Sequence, residues 1–233
     1  MSDDRAGDGE STSGPSALGS LEVFARSSVA LAPGLDHVEI YTPQGLLTWF
    51  VQRPSETRAA IVACGGAMGG VLGPGHGLFH VLGERWTPHG VAVYRVGYRI
   101  PNDLDRCAHD VACAVETAVA DGAERVVVMG HSFGGAVAVR VAVVMTAEVS
   151  GVVTFSTQSA GCEVAGALAG RPLLLFHGDR DEILPPQASE MVRMIAGYGD
   201  LEILPGDGHL LGRSDEIMLE RLDEWLPPVL LPG

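Results

Sequence analysis

The sequence predicts an α/β fold, a mostly parallel sheet with helices packed on both faces. Two observations carry this. From residue 59 onward, short apolar runs of strand length alternate with longer amphipathic runs of helix length, the pattern of parallel strands joined by helical crossovers. Ahead of them, HVEIY (37–41) and LLTWFVQ (46–52) flank Thr42-Pro43-Gln44-Gly45, whose Pro and Gly suit a hairpin turn and so an antiparallel start.

The elements follow in order. Residues 1–20 are rich in Gly, Ser and Asp and read as a disordered acidic tail ahead of a single domain over 21–233. After the hairpin come strands at AAIVAC (59–64), VAVYRV (91–96), RVVVMG (125–130), GVVTFS (151–156), PLLLF (172–176) and LEIL (201–204). Residues 103–121 set Leu104, Cys107, Ala108, Val111 and Val115 on one face of a helix. The run from Phe133 to about Ala147 is apolar nearly all round and predicts a deeply buried helix. Residues 215–226 predict an amphipathic helix with Ile217, Leu219, Leu222 and Trp225 as its apolar contacts.

Composition excludes several functions. The formal net charge is −14, so nucleic acid and anionic membrane are not expected partners. All 15 basic residues are arginine, which rules out a P-loop lysine, a Schiff-base lysine and a pyridoxal anchor. The 4 cysteines form no CxxC pair and read as reduced, buried small hydrophobes. The N-terminus lacks the apolar stretch of a signal peptide, and no run approaches the ~20 apolar residues of a membrane span. A cytoplasmic protein without cofactor or metal is expected. His76 and His80 have a spacing that could ligate a metal, but Gly75 and Gly77 make that segment a loop.

The chemistry centres on Gly130-His131-Ser132-Phe133-Gly134-Gly135, which follows a strand and opens a helix. G-x-S-x-G in that setting is a nucleophile elbow. A sharp turn lifts the serine hydroxyl above the sheet edge, and the helix behind it aims free N–H groups at developing oxyanion charge. A turn serine among packing glycines is the alternative. Acid and base should then follow in the order Ser, Asp or Glu, His. PLLLF runs into His177-Gly178-Asp179-Arg180-Asp181-Glu182-Ile183-Leu184-Pro185, and LEIL into Pro205-Gly206-Asp207-Gly208-His209. His209 is thus the base. Asp179, Asp181 and Asp207 compete for the third role.

With GHSFGG, HGDRDEILP and GDGH together, residues 35–228 or so resemble the α/β-hydrolase superfamily, most of all its compact dienelactone-hydrolase-like and esterase branches. The resemblance implies an α/β-hydrolase fold with an eight-stranded sheet and no large cap domain. It also implies a Ser132–Asp181–His209 triad, since the acid of that pattern lies three residues beyond the His-Gly pair. Dienelactone hydrolases proper carry cysteine at the elbow, so Ser132 leaves their reaction behind. The oxyanion loop matches Gly65-Gly66-Ala67-Met68-Gly69-Gly70, with Gly65 where histidine is usual. That match makes Ala67, or Gly66 in the shifted register, one backbone donor and Phe133 the other.

Met68, His76, Phe79, Tyr98, Arg99, Thr157 and Gln158 are candidate pocket walls, with Met68 and Gln158 the substrate contacts. Arg99 could hold a substrate carboxylate. The function implied is hydrolysis of small or medium carboxylic esters, the partner being a small acyl substrate. Thioester hydrolysis or acyl transfer on the same triad, or ligand binding without catalysis, are the alternatives.

Overall fold

Runs of Val, Ala, Leu and Ile without alternation make strands that are covered on both faces. In chain order the structure, a computed structural model that describes residues 16–231, has β1 (Ala25–Ala32), β2 (Leu35–Thr42), β3 (Gly45–Gln52), β4 (Ala59–Cys64), α1 (Leu78–Trp86), β5 (Val91–Gly97), α2 (Leu104–Ala120), β6 (Arg125–His131), α3 (Phe133–Val144), β7 (Val149–Phe155), β8 (Leu173–Gly178), α4 (Gln187–Ala196), β9 (Asp200–Leu204) and α5 (Asp215–Leu230). They form one sheet of 9 strands in the order β1-β2-β3-β5-β4-β6-β7-β8-β9. β1, β2, β3 and β5 pair antiparallel, and the ladders from β5 through β4 to β9 are parallel. Every residue of β4 and of β8 is buried.

The sheet therefore has one strand more than the eight expected. The addition is β1, an edge strand exposed along nearly its whole length. The hairpin at Thr42–Gly45 forms as its residues suggest. Thr42 and Gly45 face each other across the register, and the Thr42 hydroxyl donates to the Gly45 carbonyl at 2.8 Å.

Two apolar cores flank the sheet. One packs α2, α3 and Val192 of α4 on one face; the other packs α1 and α5 on the opposite face. Between β7 and β8 the chain carries only a short 3-10 turn, Ala165–Leu168, so no cap covers the sheet edge. Of the N-terminal segment, residues 1–15 lie outside the described residues. Ser16–Leu21 packs on α2, where the Glu116 carboxylate accepts from the Ser16 hydroxyl and the Ala17 and Leu18 N–H groups. No helix among the described residues is long and apolar enough to cross a membrane.

This topology fixes where chemistry can occur. β4 lies between β5 and β6, so successive connections leave it in opposite directions. The crevice beyond the carboxyl ends of such strands is where ligands bind in open α/β sheets. The loops that leave β4, β6, β8 and β9 carry Gly65–Gly73, Ser132, Asp181 and His209.

Candidate active site

Ser132 joins β6 to α3 with φ 57° and ψ −119°, a conformation that L-residues avoid unless their surroundings impose it. Here they do. The Ser132 N–H donates to the Phe155 carbonyl at 2.8 Å, and its carbonyl accepts from the Gly135 and Gln158 N–H groups. The flanking glycines are required by space. A Cβ on Gly130 would stand 1.9 Å from the Gly134 oxygen, and one on Gly134 would stand 2.4 Å from the Gly65 oxygen. The G-x-S-x-G spacing is thus a packing solution that turns the chain sharply and leaves the serine part-exposed at its crest.

His209 and Asp181 meet across the loops after β9 and β8. The His209 Nδ1 lies 2.7 Å from Asp181 Oδ2, so Nδ1–H donates to the carboxylate and Nε2 keeps its lone pair. The other Asp181 oxygen accepts from the Ile183 and Leu184 N–H groups, both at 2.8 Å. Burial pushes the Asp181 carboxyl up, but those two N–H groups and the His209 ring overrule it and hold it below its ordinary value.

The competing aspartates do other things. The Asp179 carboxylate accepts from the Gly206 N–H at 2.6 Å and ties β8's turn to β9's. Asp207 is buried and accepts from the Arg213 N–H. Neither bonds to His209.

Three further residues, His177, His131 and Tyr98, brace these loops. His177 Nε2 faces the Leu184 carbonyl at 3.0 Å and Asp181 Oδ2 at 3.2 Å, so it carries the proton, while Nδ1 accepts from the Ser189 hydroxyl at 2.6 Å. Burial lowers its pKa. His177 thus braces its own turn and holds the far side of the Asp181 carboxylate. His131 donates from Nε2 to the His209 carbonyl at 3.0 Å, with ring centroids 5.0 Å apart. Burial lowers the His131 pKa to about 4, so the ring is neutral at ordinary pH.

Tyr98 is the third. Its hydroxyl donates to the Gly65 carbonyl at 3.0 Å, bracing the loop after β4 in place of the absent histidine. No side chain fits at Gly65, because a Cβ there would stand 2.4 Å from the Gly70 oxygen.

Ser132 and His209 line one cleft of about 700 Å³ together with Gly65–Gly73, His131, Ile183 and Leu210. A larger hollow of about 870 Å³ lies beside Ser16–Leu18 and α2 and contains none of these groups. Ala67 and Gly66 both stand on the cleft wall. The Gly66 carbonyl accepts from the Gly69 N–H at 2.9 Å, which tightens this turn, while the Ala67 N–H has no backbone acceptor among the described residues. Phe133 begins α3, so its N–H lacks an intrahelical partner.

Several expected pocket walls lie elsewhere. Met68 lines the cleft, but Gln158 does not: its amide donates to the Ala160 carbonyl at 2.8 Å, and only its backbone N–H reaches Ser132. Phe79 packs in the core against Phe155, and Thr157 is buried. Arg99 is locked in a buried ion pair with Asp110, out of reach of a substrate carboxylate. His76 pairs with Asp215, and His80 faces Glu84. Among the described residues, no group of three or more His, Cys, Asp or Glu side chains is placed to share a metal ion.

A family model described as Phospholipase/Carboxylesterase matches residues 102–224, more than half of the chain. The chain belongs to that family. The matched span includes Ser132 and all three loop aspartates as well as His209. Solved structures give the fold of the whole. Est1E from Butyrivibrio proteoclasticus is 18% identical with a TM-score of 0.69, covering 82% of this chain and 97% of its own. The dienelactone hydrolase of Anabaena variabilis is 15% identical with a TM-score of 0.69, covering 88% and 99%. Thermogutta terrifontis esterase 2 is 17% identical with a TM-score of 0.65, covering 86% and 97%. At such identities the likeness shows the α/β-hydrolase fold. No curated protein matches the chain.

Proposed function

We propose that this family member is a serine hydrolase that cleaves small or medium carboxylic esters through an acyl-enzyme. In this reading Ser132 is the nucleophile, His209 the base and Asp181 the acid that orients the ring. The observation that carries it is the backbone of Ser132. A serine is held at φ 57°, ψ −119° on the wall of a cleft shared with a carboxylate-bound histidine, and backbone strain of that kind gathers at functional sites.

The steps follow from the groups present. His209 Nε2 takes the Ser132 proton as Oγ attacks the ester carbonyl carbon. The Ala67 and Phe133 N–H groups receive the oxyanion, and collapse expels the alcohol, which leaves with the proton held on His209. Water then repeats the sequence on the acyl-enzyme and releases the acid. Asp181 stabilises the imidazolium formed in each half. Thioester cleavage and acyl transfer would run on the same groups. Four buried free cysteines suit a reducing compartment, and we read the location as cytoplasmic.

The test is labelling by a fluorophosphonate, followed by turnover on a panel of ester, thioester and amide substrates. The reagent class fits the fold, since the Thermogutta terrifontis esterase 2 is phosphorylated by paraoxon. Wild type should label at Ser132 and turn over the esters. Ser132→Ala should abolish labelling and lower turnover by roughly a million-fold. Activity of Ser132→Ala within tenfold of wild type would sink the reading.

A further inference from the structure

We infer that the cleft selects esters whose acyl group is uncharged and apolar, through a rim formed by Met68, Leu72, Ile183 and Leu210. This rests on the hydrolase reading of the same cleft and names its substrate class. These four side chains come from three separate loops, those after β4, β8 and β9, yet all line the cleft that holds Ser132 and His209. They are large, apolar and open to solvent: Met68 is 94% exposed, Leu72 57%, Ile183 65% and Leu210 65%. Exposed apolar side chains scattered singly need no explanation, whereas a contiguous group around a reactive cleft marks the surface its ligand covers.

Charge sharpens the inference. The chain carries −14 overall, yet none of the residues lining the cleft is Asp, Glu or Arg. The one titratable side chain there besides His209 is His131, which burial keeps neutral above about pH 4. Arg99, the cation nearest in sequence to an expected carboxylate-binding role, is sequestered on Asp110. An anionic acyl group would enter an acidic protein's cleft and find no cation. An alkyl chain laid from Ser132 across the rim would instead cover four apolar side chains and gain their transfer free energy.

The experiment compares kcat/KM for p-nitrophenyl acetate, pentanoate, octanoate and the succinate half-ester, all below their aggregation concentrations. Pentanoate and the succinate half-ester match in length and differ in charge. Pentanoate should exceed the half-ester, and octanoate should exceed acetate, each by roughly tenfold or more. Leu72→Glu and Ile183→Glu place a charge on either side of the cleft at solvent-exposed positions. Each should cut the octanoate-to-acetate ratio by about tenfold, while Met194→Glu on α4, also exposed, leaves it unchanged.

Equal handling of pentanoate and the half-ester, or an unchanged ratio in both rim variants, overturns the inference while leaving the hydrolase reading intact. A preference for octanoate that arises only above its aggregation concentration also overturns it, in favour of a lipid surface. No turnover of any ester, together with no fluorophosphonate labelling of Ser132, overturns both.

Discussion

Asp179 and Asp181 sit two residues apart in one turn, and their side chains point into different problems. Asp179 is exposed and spends its carboxylate on the Gly206 N–H. Asp181 has a fully buried carboxylate whose four contacts are two backbone N–H groups and two histidine rings. A carboxylate so surrounded is fixed in orientation and ionised, as a group that sets a histidine tautomer must be. Asp181→Asn preserves shape but can present an N–H to His209, favouring the wrong tautomer. Turnover on an activated ester should fall roughly ten-thousand-fold. Asp179→Asn weakens one turn contact and should lower unfolding stability by about 1 kcal/mol with little change in turnover. Steady-state rates and urea melts of the two variants check both halves. The reverse pattern, with Asp179 carrying the rate, would overturn the assignment of the acid.

At the scale of elements, the same loop arrangement explains what was legible in the sequence and what was not. Buried strands read clearly because unbroken apolar runs make up β4 and most of β6 and β8. β1 escaped because neither of its faces is buried, so ARSSVALA carries no alternation. α1 escaped because it emerges from a glycine-rich loop and holds Gly83, where a Cβ would collide with the Gln52 amide. α5 runs beyond residue 226 through Pro227 and Pro228, because Trp225, Leu226, Val229 and Leu230 are held in the core against the sheet. At the candidate site, motif and chain order single out Ser132 and His209. Asp181 stood among three aspartates in the residues themselves and was singled out by the family resemblance.

The brace on the loop after β4 is hidden in the sequence, since Tyr98 reaches Gly65 across 33 residues and no local pattern encodes such a contact. Its role gives a prediction. Tyr98→Phe keeps the ring against Phe133 but leaves the buried Gly65 carbonyl without its donor, a loss of about 1–3 kcal/mol. Part of that should appear as a drop of about tenfold in kcat with KM nearly constant, because the loop carries the Ala67 N–H that the transition state would use. A full kinetic split on one ester checks it; an unchanged kcat would remove Tyr98 from the oxyanion loop's support.

For the whole molecule, burial governs the chemistry of the cysteines and of the buried histidines. The cysteines Cys64, Cys107, Cys113 and Cys162 are buried and free, and burial pushes each thiol up to about 12. Ellman's reagent should find almost no thiol in the native protein and four in denaturant. Burial acts on histidine with the opposite sign and makes folding depend on pH. His131 titrates near its ordinary 6.5 when unfolded but at about 4 when folded. Between those values the unfolded chain holds a proton that the folded chain lacks, so stability falls as pH drops through that window and is complete above it.

His177 is lowered by burial in the same direction. Asp181 acts at lower pH, since its depressed carboxyl contributes stability above the ordinary carboxylate range and loses it as pH falls through the folded value. The His131 contribution is about 2 kcal/mol by pH 4.5 at ~1.4 kcal/mol per pKa unit. His131→Gln removes that titration and can keep the donor to the His209 carbonyl. Urea unfolding at pH 7.5 and pH 4.5 should therefore show a smaller loss in His131→Gln than in wild type, by about 2 kcal/mol. Equal losses in the two proteins would mean that His131 is protonated in the folded state at pH 4.5, and the neutral, uncharged cleft would have to be abandoned at acid pH.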